Sequence, residues 1–314
     1  MATPKYEHLI KPLSVGAVNW SEVPDARAIG PGNASREIRL NGRDHLEGMN
    51  VHISWGVHTG LGDWHAGMDP HVHPYPECLM FVGLDTANIN YLGAEIDCCL
   101  GAEQETYTFN EPTVIVVPAG FPHGPITTKR MYSPKGFGFW AIELNSVSEV
   151  TWFGEEVSGH RKQATGKYAH LVKSMHSFIV TERGKTKTGP KAGPGNADHL
   201  TWMSGRDLED LNVNIFWGFC SQPGLWRRGA GAHIHPADEV LVYVGMDPNN
   251  IDYLGAEIEM DLGEKHERHL IDKPTFVVCP AGMPHLPQVT RWVDKPFAFF
   301  AVNLSGERVT KAFD

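Results

Sequence analysis

Three histidines and a glutamate recur twice along this chain at the same intervals. His71-Val72-His73 is followed by Glu77 and, after a long gap, by His123; His233-Ile234-His235 is followed by Glu239 and His285. Each member of the second set stands 162 positions after its counterpart. Three neutral imidazoles and one carboxylate form a donor set suited to Fe(II), Mn(II), Ni(II), Cu(II) or Zn(II), and spacing does not choose among them. Four protein donors around a six-coordinate ion leave two neighbouring positions open. That is enough for a bidentate substrate, or for substrate and dioxygen together. A divalent ion beside one carboxylate leaves the site positive, which favours anionic substrate oxygens. A lone His-x-His is more often a surface or core pair than a ligand set. Duplication copied the second set from the first, so the two are not independent. Even so, the pairs His58/Cys220, His65/Arg227 and Thr106/Arg268 have diverged while all eight candidate ligands have not.

Alternate residues on a strand share a face, so His71 and His73 project the same way. Pro74 and Pro76 exclude a helix and disfavour a paired central strand; the chain turns there, and Glu77 joins the next strand facing the same interior. His123 follows the turn Pro118-Ala119-Gly120-Phe121-Pro122, and the second copy keeps Pro236 and the turn Pro280 to Pro284. The surrounding strands read as short apolar runs rich in branched residues: Val51 to Val57, Leu79 to Val82 and Val114 to Val117, matched by Val213 to Phe219, Val240 to Val244 and Phe276 to Val278. Each is bounded by Gly, Pro or Asn. Only short stretches near Leu9 and Leu171 suit a helix.

The duplication runs the length of the chain. Lys5-Tyr6-Glu7-His8-Leu9 recurs as Lys167-Tyr168-Ala169-His170-Leu171, and Tyr91 to Ile96 recurs unchanged as Tyr253 to Ile258. A period this long matches a domain, not a solenoid repeat. Two tandem all-β domains, 1–160 and 161–314, are expected, joined near Val150 to Gly166, where glycines lie among polar residues. Many short strands at regular spacing indicate a sandwich or barrel.

His-x-His-x-x-x-Glu, followed about 46 residues later by Pro-x-Gly-x-x-His, resembles the two signature motifs of the cupin superfamily, here in both halves. The resemblance implies a bicupin: two tandem jelly-roll β-barrels with few short helices. It further implies one divalent transition metal per domain, Fe(II) favoured and Mn, Ni, Cu or Zn as alternatives. The ligands would be His71, His73, Glu77 and His123 in the first domain, and His233, His235, Glu239 and His285 in the second. Gly67 and Gly229 stand four residues ahead of the first histidine, where the family glycine stands about six ahead, which leaves the subfamily open.

Among bicupins the leading expectation is a dioxygenase acting on a small aromatic or anionic substrate, with Glu77 or Glu239 as catalytic ligand or proton shuttle. The alternatives are a redox-neutral metal-dependent lyase, decarboxylase or isomerase, and a non-catalytic metal- or ligand-binding protein. Bicupin oxalate decarboxylases share the ligand set but carry an arginine three residues before the first histidine. Here those positions are Met68 and Ala230, so efficient oxalate turnover is not expected.

Composition narrows the partners. The chain has 314 residues, 41% hydrophobic and 20% charged, with a formal charge of −10. That charge argues against nucleic acid or an anionic membrane, and no apolar run is long enough to span a bilayer. Met1 to His8 contains no apolar signal core, and a cytoplasmic homo-oligomer with a small-molecule substrate is expected. Five cysteines, an odd count without framework spacing, read as reduced buried thiols.

Trp55 and Trp217 share strand parity with branched residues and read as core. Trp64 and Trp226 precede the ligand strands and are candidates to rim the pockets. Glu95 and Glu257 are candidates to orient ligand histidines, a solvated strand face or inter-barrel contact being the commoner role. Tyr75 flanks the first ligand set where the second has Ala237, and Trp226-Arg227-Arg228 replaces Trp64-His65-Ala66. These differences suggest an aromatic ligand for the first site and a small anion, gripped by Arg227 or Arg228, for the second. Guanidinium groups turned to solvent or to a subunit contact are the alternative.

Overall fold

The computed structural model describes residues 4–13, 34–64, 70–153, 161–180, 197–226, 231–250 and 252–313, the side chains of 34–37 and 177–180 excepted. Among these, helix is confined to four 3-10 segments: Glu7–Leu9, Ala169–Leu171, Met175–Phe178 and Gly205–Leu208. Everything else regular is strand. The apolar runs read from sequence are strands His52–His58, Glu77–Gly83 and Thr113–Val117, with counterparts Asn214–Cys220, Glu239–Gly245 and Thr275–Cys279. All six are buried along their whole length, which is why they lack polar alternation. Glu105–Phe109 shows the other pattern, with Glu105, Tyr107 and Phe109 buried and Thr106 and Thr108 turned outward.

The chain forms two compact units, each with two sheets. One unit is Val15–His176; the other is Met1–Ser14 together with Ser177–Asp314. In the first, a six-stranded sheet centred on Glu77–Gly83 and Phe137–Glu143 faces a sheet built on Ala94–Leu100 and His123–Met131. Their inner faces share a core that includes Phe81, Ile96, Ile115 and Phe139. The second unit repeats this with Glu239–Gly245, Phe297–Asn303, Ala256–Leu262 and His285–Val293, over a core that includes Tyr243, Ile258, Val277 and Phe299.

These units do not follow the expected division at 160/161, and a reciprocal strand exchange is the reason. Strand Ile10–Pro12 pairs antiparallel with Thr275–Cys279, and its counterpart Val172–Ser174 pairs with Thr113–Val117. Each copy's opening segment thus completes the edge of the other copy's sheet. The repeated tyrosine anchors it. Tyr168 packs over Gly101, where an added Cβ would lie 2.3 Å from the ring, and Tyr6 packs over Gly263 at 2.1 Å. Both glycines have positive φ and leave no room for a side chain.

Candidate metal centres

In the Ser177–Asp314 unit, His233 begins the two-residue strand His233–Ile234 and pairs with His285 on the neighbouring strand. A bend at Pro236–Ala237 carries the chain over to Glu239, the first residue of its strand. Donor atoms of His233, His235, Glu239 and His285 all lie within 4.8 Å of one another, and all four residues are buried. The other unit brings His71, His73 and His123 together within the same distance. Glu77 Oε2 lies 3.6 Å from His73 Nε2 and 3.3 Å from His123 Nε2. Both units therefore contain a His/Glu group able to hold a metal ion.

The hydrogen bonds turn the imidazoles for that task. Nδ1 of His73 donates to the Glu149 carbonyl at 2.6 Å, and Nδ1 of His235 to the Val309 carbonyl at 2.7 Å. His123 and His285 donate in the same way to Phe121 and Met283, at 3.2 and 3.0 Å. A carbonyl can only accept, so each bond puts the proton on Nδ1 and leaves the Nε2 lone pair facing inward. His233 Nε2 stands 2.9 Å from His235 Nε2. Two nitrogens this close, one of them presenting a lone pair, suit a shared cation.

Electrostatics support the same ligand forms. Burial lowers the pKa of His233 to about 2 and that of His235 to about 4, so both stay neutral, the form that binds metal. Burial works to raise Glu239, but Arg308 and His285 outweigh it and hold the carboxyl below its ordinary value. Glu77 is held low in the same sense, burial being outweighed by His73 and His123. The donor chemistry thus fits a divalent ion at both places.

The residues around the donors differ from expectation. Trp64 is packed into the core of its barrel: it is 1% exposed, stacks on His58 at 4.1 Å and donates from Nε1 to Thr128 Oγ1. Trp226 is half-buried, packs on Phe299 and lines a cavity at the second centre. Tyr75 is buried, with its hydroxyl donating to Glu143 Oε2 at 2.6 Å and accepting from the Glu149 N–H, so it braces the site from behind. Glu95 accepts from Tyr132 and faces Lys129 and Arg130, and Glu257 stands opposite Trp292; backbone carbonyls orient the ligand histidines instead. Arg227, Arg228, Gly67, Gly229, Met68 and Ala230 lie outside the described residues. Trp55 and Trp217 are core, and all five cysteines are free and buried.

Three neighbours of the centres were not singled out from sequence. Trp152 packs against His71 at 4.7 Å, on a strand whose counterpart holds Ala312. Glu143 lies opposite Glu77 across the sheet, its carboxyl raised to about 7 by burial and then by the Glu77 charge. Arg308 reaches the second centre, with Nη2 3.3 Å from Glu239 Oε1 and 3.2 Å from His235 Nε2. Aligning the copies across the last strand would have flagged two of these, because Glu143 and Ser148 there match Asn303 and Arg308.

Paired sheets, strand exchange and a His/Glu group in each barrel define the chain as having the tandem-barrel cupin fold. It is similar to oxalate decarboxylase from Bacillus subtilis: an arginine-to-alanine variant of that protein superposes with a TM-score of 0.56 at 11% identity, over 96% of this chain and 80% of the other. The same protein at pH 4.6 gives 0.57 at 11%, over 96% and 78%. A third structure, from work on its Mn(II) centres, gives 0.57 at 10%, over 96% and 80%. No protein-family model and no curated protein matches the sequence. No helix among the described residues is long and apolar enough to cross a membrane.

Proposed function

We propose that this protein is a metal-dependent bicupin enzyme that performs redox-neutral lyase or decarboxylase chemistry on a small carboxylate. The observation that carries the reading is the buried convergence of His233, His235, Glu239 and His285 within 4.8 Å, with a matching group in the other barrel. His71, His73, Glu77 and His123 would hold one divalent ion, and the second set another. A bound ion would supply a Lewis acid that polarises a carboxylate or carbonyl oxygen. The Glu149 and Val309 carbonyls keep the imidazoles oriented toward that ion, and Glu77 and Glu239 are the acid–base candidates nearest to it.

The lyase class is supported by the oxalate decarboxylases that share the fold, and Mn(II) by the neighbour described through its Mn(II) centres. Fe(II) and a dioxygenase reaction rest on the donor set alone. Oxalate is not the favoured substrate. Met68 and Ala230 replace the gripping arginine of the decarboxylases, and the cavity at the second centre has apolar walls.

The test supplies Mn(II)-loaded protein with a panel of small carboxylates, with and without oxygen. Carbon dioxide release under argon, with no oxygen uptake in air, supports the lyase. Oxygen consumed in proportion to product would establish the dioxygenase. Two tightly held ions without turnover of any panel member would leave the metal-holding role.

A further inference from the structure

The second centre opens into a cavity whose floor is His233, Glu239 and His285. Phe216, Leu241 and Phe299 form an apolar wall, and Arg308 lines the same space. The guanidinium is held on two sides. Its carbon stands 4.9 Å over the Phe216 ring, while Nε and Nη2 reach Glu239 Oε1 at 3.4 and 3.3 Å. The side chain is 24% exposed, and Nη2 also lies 3.2 Å from His235 Nε2. Arg308 is therefore fixed beside the ligand set at the cavity lining, where it offers a positive charge to a bound anion.

Its charge sets up a competition. Glu239 is the only carboxylate in its ligand set, and Arg308 lies against one of its oxygens while His235 and His285 face the other. A divalent ion held by Oε2 would sit close to a fixed positive charge, in a buried place where such repulsion is poorly screened. An anion that accepts from the guanidinium and also fills an open metal position removes the repulsion. A carboxylate has the right planar geometry, since its two oxygens can serve the two cations. At the first centre Ser148 stands at the position matching Arg308, and its hydroxyl donates to Glu143.

We propose that the second centre is a synergistic metal–carboxylate site. A small monocarboxylate with a compact apolar substituent bridges the metal and Arg308, its substituent lying against Phe216, Leu241 and Phe299. Metal and carboxylate strengthen each other's binding there and not at the first centre. The inference rests on the metal-binding reading above, and it names the substrate class and the residue that selects it.

The test measures Mn(II) affinity in the full-length, metal-free chain by calorimetry. His71→Ala/His73→Ala leaves only the second centre, and His233→Ala/His235→Ala leaves only the first. Isobutyrate is the probe and isobutanol its neutral control. At the second centre isobutyrate should tighten Mn(II) on the order of tenfold, and isobutanol should not. By reciprocity Mn(II) should tighten isobutyrate by the same factor. Arg308→Leu should bind Mn(II) more tightly without anion and lose the isobutyrate effect, while Arg308→Lys keeps the charge and should retain part of it. Mn(II) bound at the second centre with no response to isobutyrate, or an equal response at the first centre or in Arg308→Leu, overturns the proposal and leaves the metal reading standing. Absence of Mn(II) binding at the second centre, with circular dichroism showing folded protein, overturns both.

Discussion

Beneath each candidate metal centre, three residues stand side by side across neighbouring strands. In the first barrel the row is His52, Glu143 and Glu77; in the second it is Asn214, Asn303 and Glu239. The outer glutamate is kept in both rows, and the two positions behind it have changed from titratable groups to amides. On the other side of the carboxylate, Ser148 has given way to Arg308. Duplication thus preserved the candidate donors and let their neighbours diverge. The divergence is electrostatic. The first carboxylate is backed by a second carboxyl group, braced by Tyr75 and Ser148, whereas the second is faced by a guanidinium. With a divalent ion bound, the second centre would carry the larger positive charge, the basis of the anion preference proposed above.

The comparison breaks first if the two centres do not hold metal independently. Replacing His73 and Glu77 together is expected to lower the metal content by one ion per chain, and replacing His235 and Glu239 by one ion at the other site. Losing two of four donors leaves a site too weak to survive purification. Elemental analysis of the two double variants decides it. An unchanged metal count in either double variant would remove that ligand set from the assignment.

The convergence of the candidate donors could be read from sequence because strand parity aligns His71 with His73, the prolines force the turn to Glu77, and the second copy repeats both. The groups that tune the donors could not. Glu143 and Arg308 sit at or beyond the end of the last long strand, where the offset between copies falls from 162 to 160 and a fixed-offset comparison loses register. Nor does local patterning reveal the strand exchange. The edge strand Ile10–Pro12 meets Thr275–Cys279 across almost the whole chain, and hydrophobic periodicity carries no information on partners so distant. Trp64 and Trp226 occupy matched positions and looked alike. What separates them is His58, which stacks on Trp64, against Cys220, which offers the second tryptophan no ring.

That last difference sharpens into a stability test. Trp64 packs against His58, Phe81 and Phe139 and satisfies Thr128, so Trp64→Ala should cost about 3–5 kcal/mol. Trp226 is half-buried over Phe299, and Trp226→Ala should cost no more than about half as much. Urea unfolding of the metal-free variants gives both values. Equal losses would mean that Trp226 is as much a core residue as Trp64.

Glu143 provides a pH-dependent contrast with Asn303. Its carboxyl is raised to about 7 in the folded chain, above the unfolded value, so the folded state keeps a proton that the unfolded chain releases. The stabilising contribution is complete below the unfolded pKa and is lost as pH rises through about 7. The shift corresponds to roughly 3 kcal/mol between the two limits. Glu143→Gln, which imitates the second barrel, should flatten this dependence in the metal-free protein and make it the more stable form at pH 8. A wild-type urea midpoint that does not fall between pH 5 and pH 8 would contradict the assignment.

The smallest expected effect belongs to Tyr75, whose counterpart is Ala237. Its hydroxyl donates to the buried Glu143 carboxyl and accepts from the Glu149 N–H, and Glu149 in turn carries the carbonyl that orients His73. Tyr75→Phe keeps the ring stacked on His73 and removes only the hydroxyl, at a cost of about 1–2 kcal/mol. Two consequences separate a brace from a passive core residue. The Tyr75 hydrogen bond works to lower the Glu143 pKa, so without it the fall in stability with pH should move to a higher pH than in wild type. Most of the cost should also vanish when the substitution is made in the Glu143→Gln background, because a neutral amide loses less than a buried carboxylate when its donor is removed. A double-mutant cycle on urea midpoints at pH 8 measures that coupling. Additive losses would show that Tyr75 acts through packing alone and that the first centre's carboxyl pair does not depend on it.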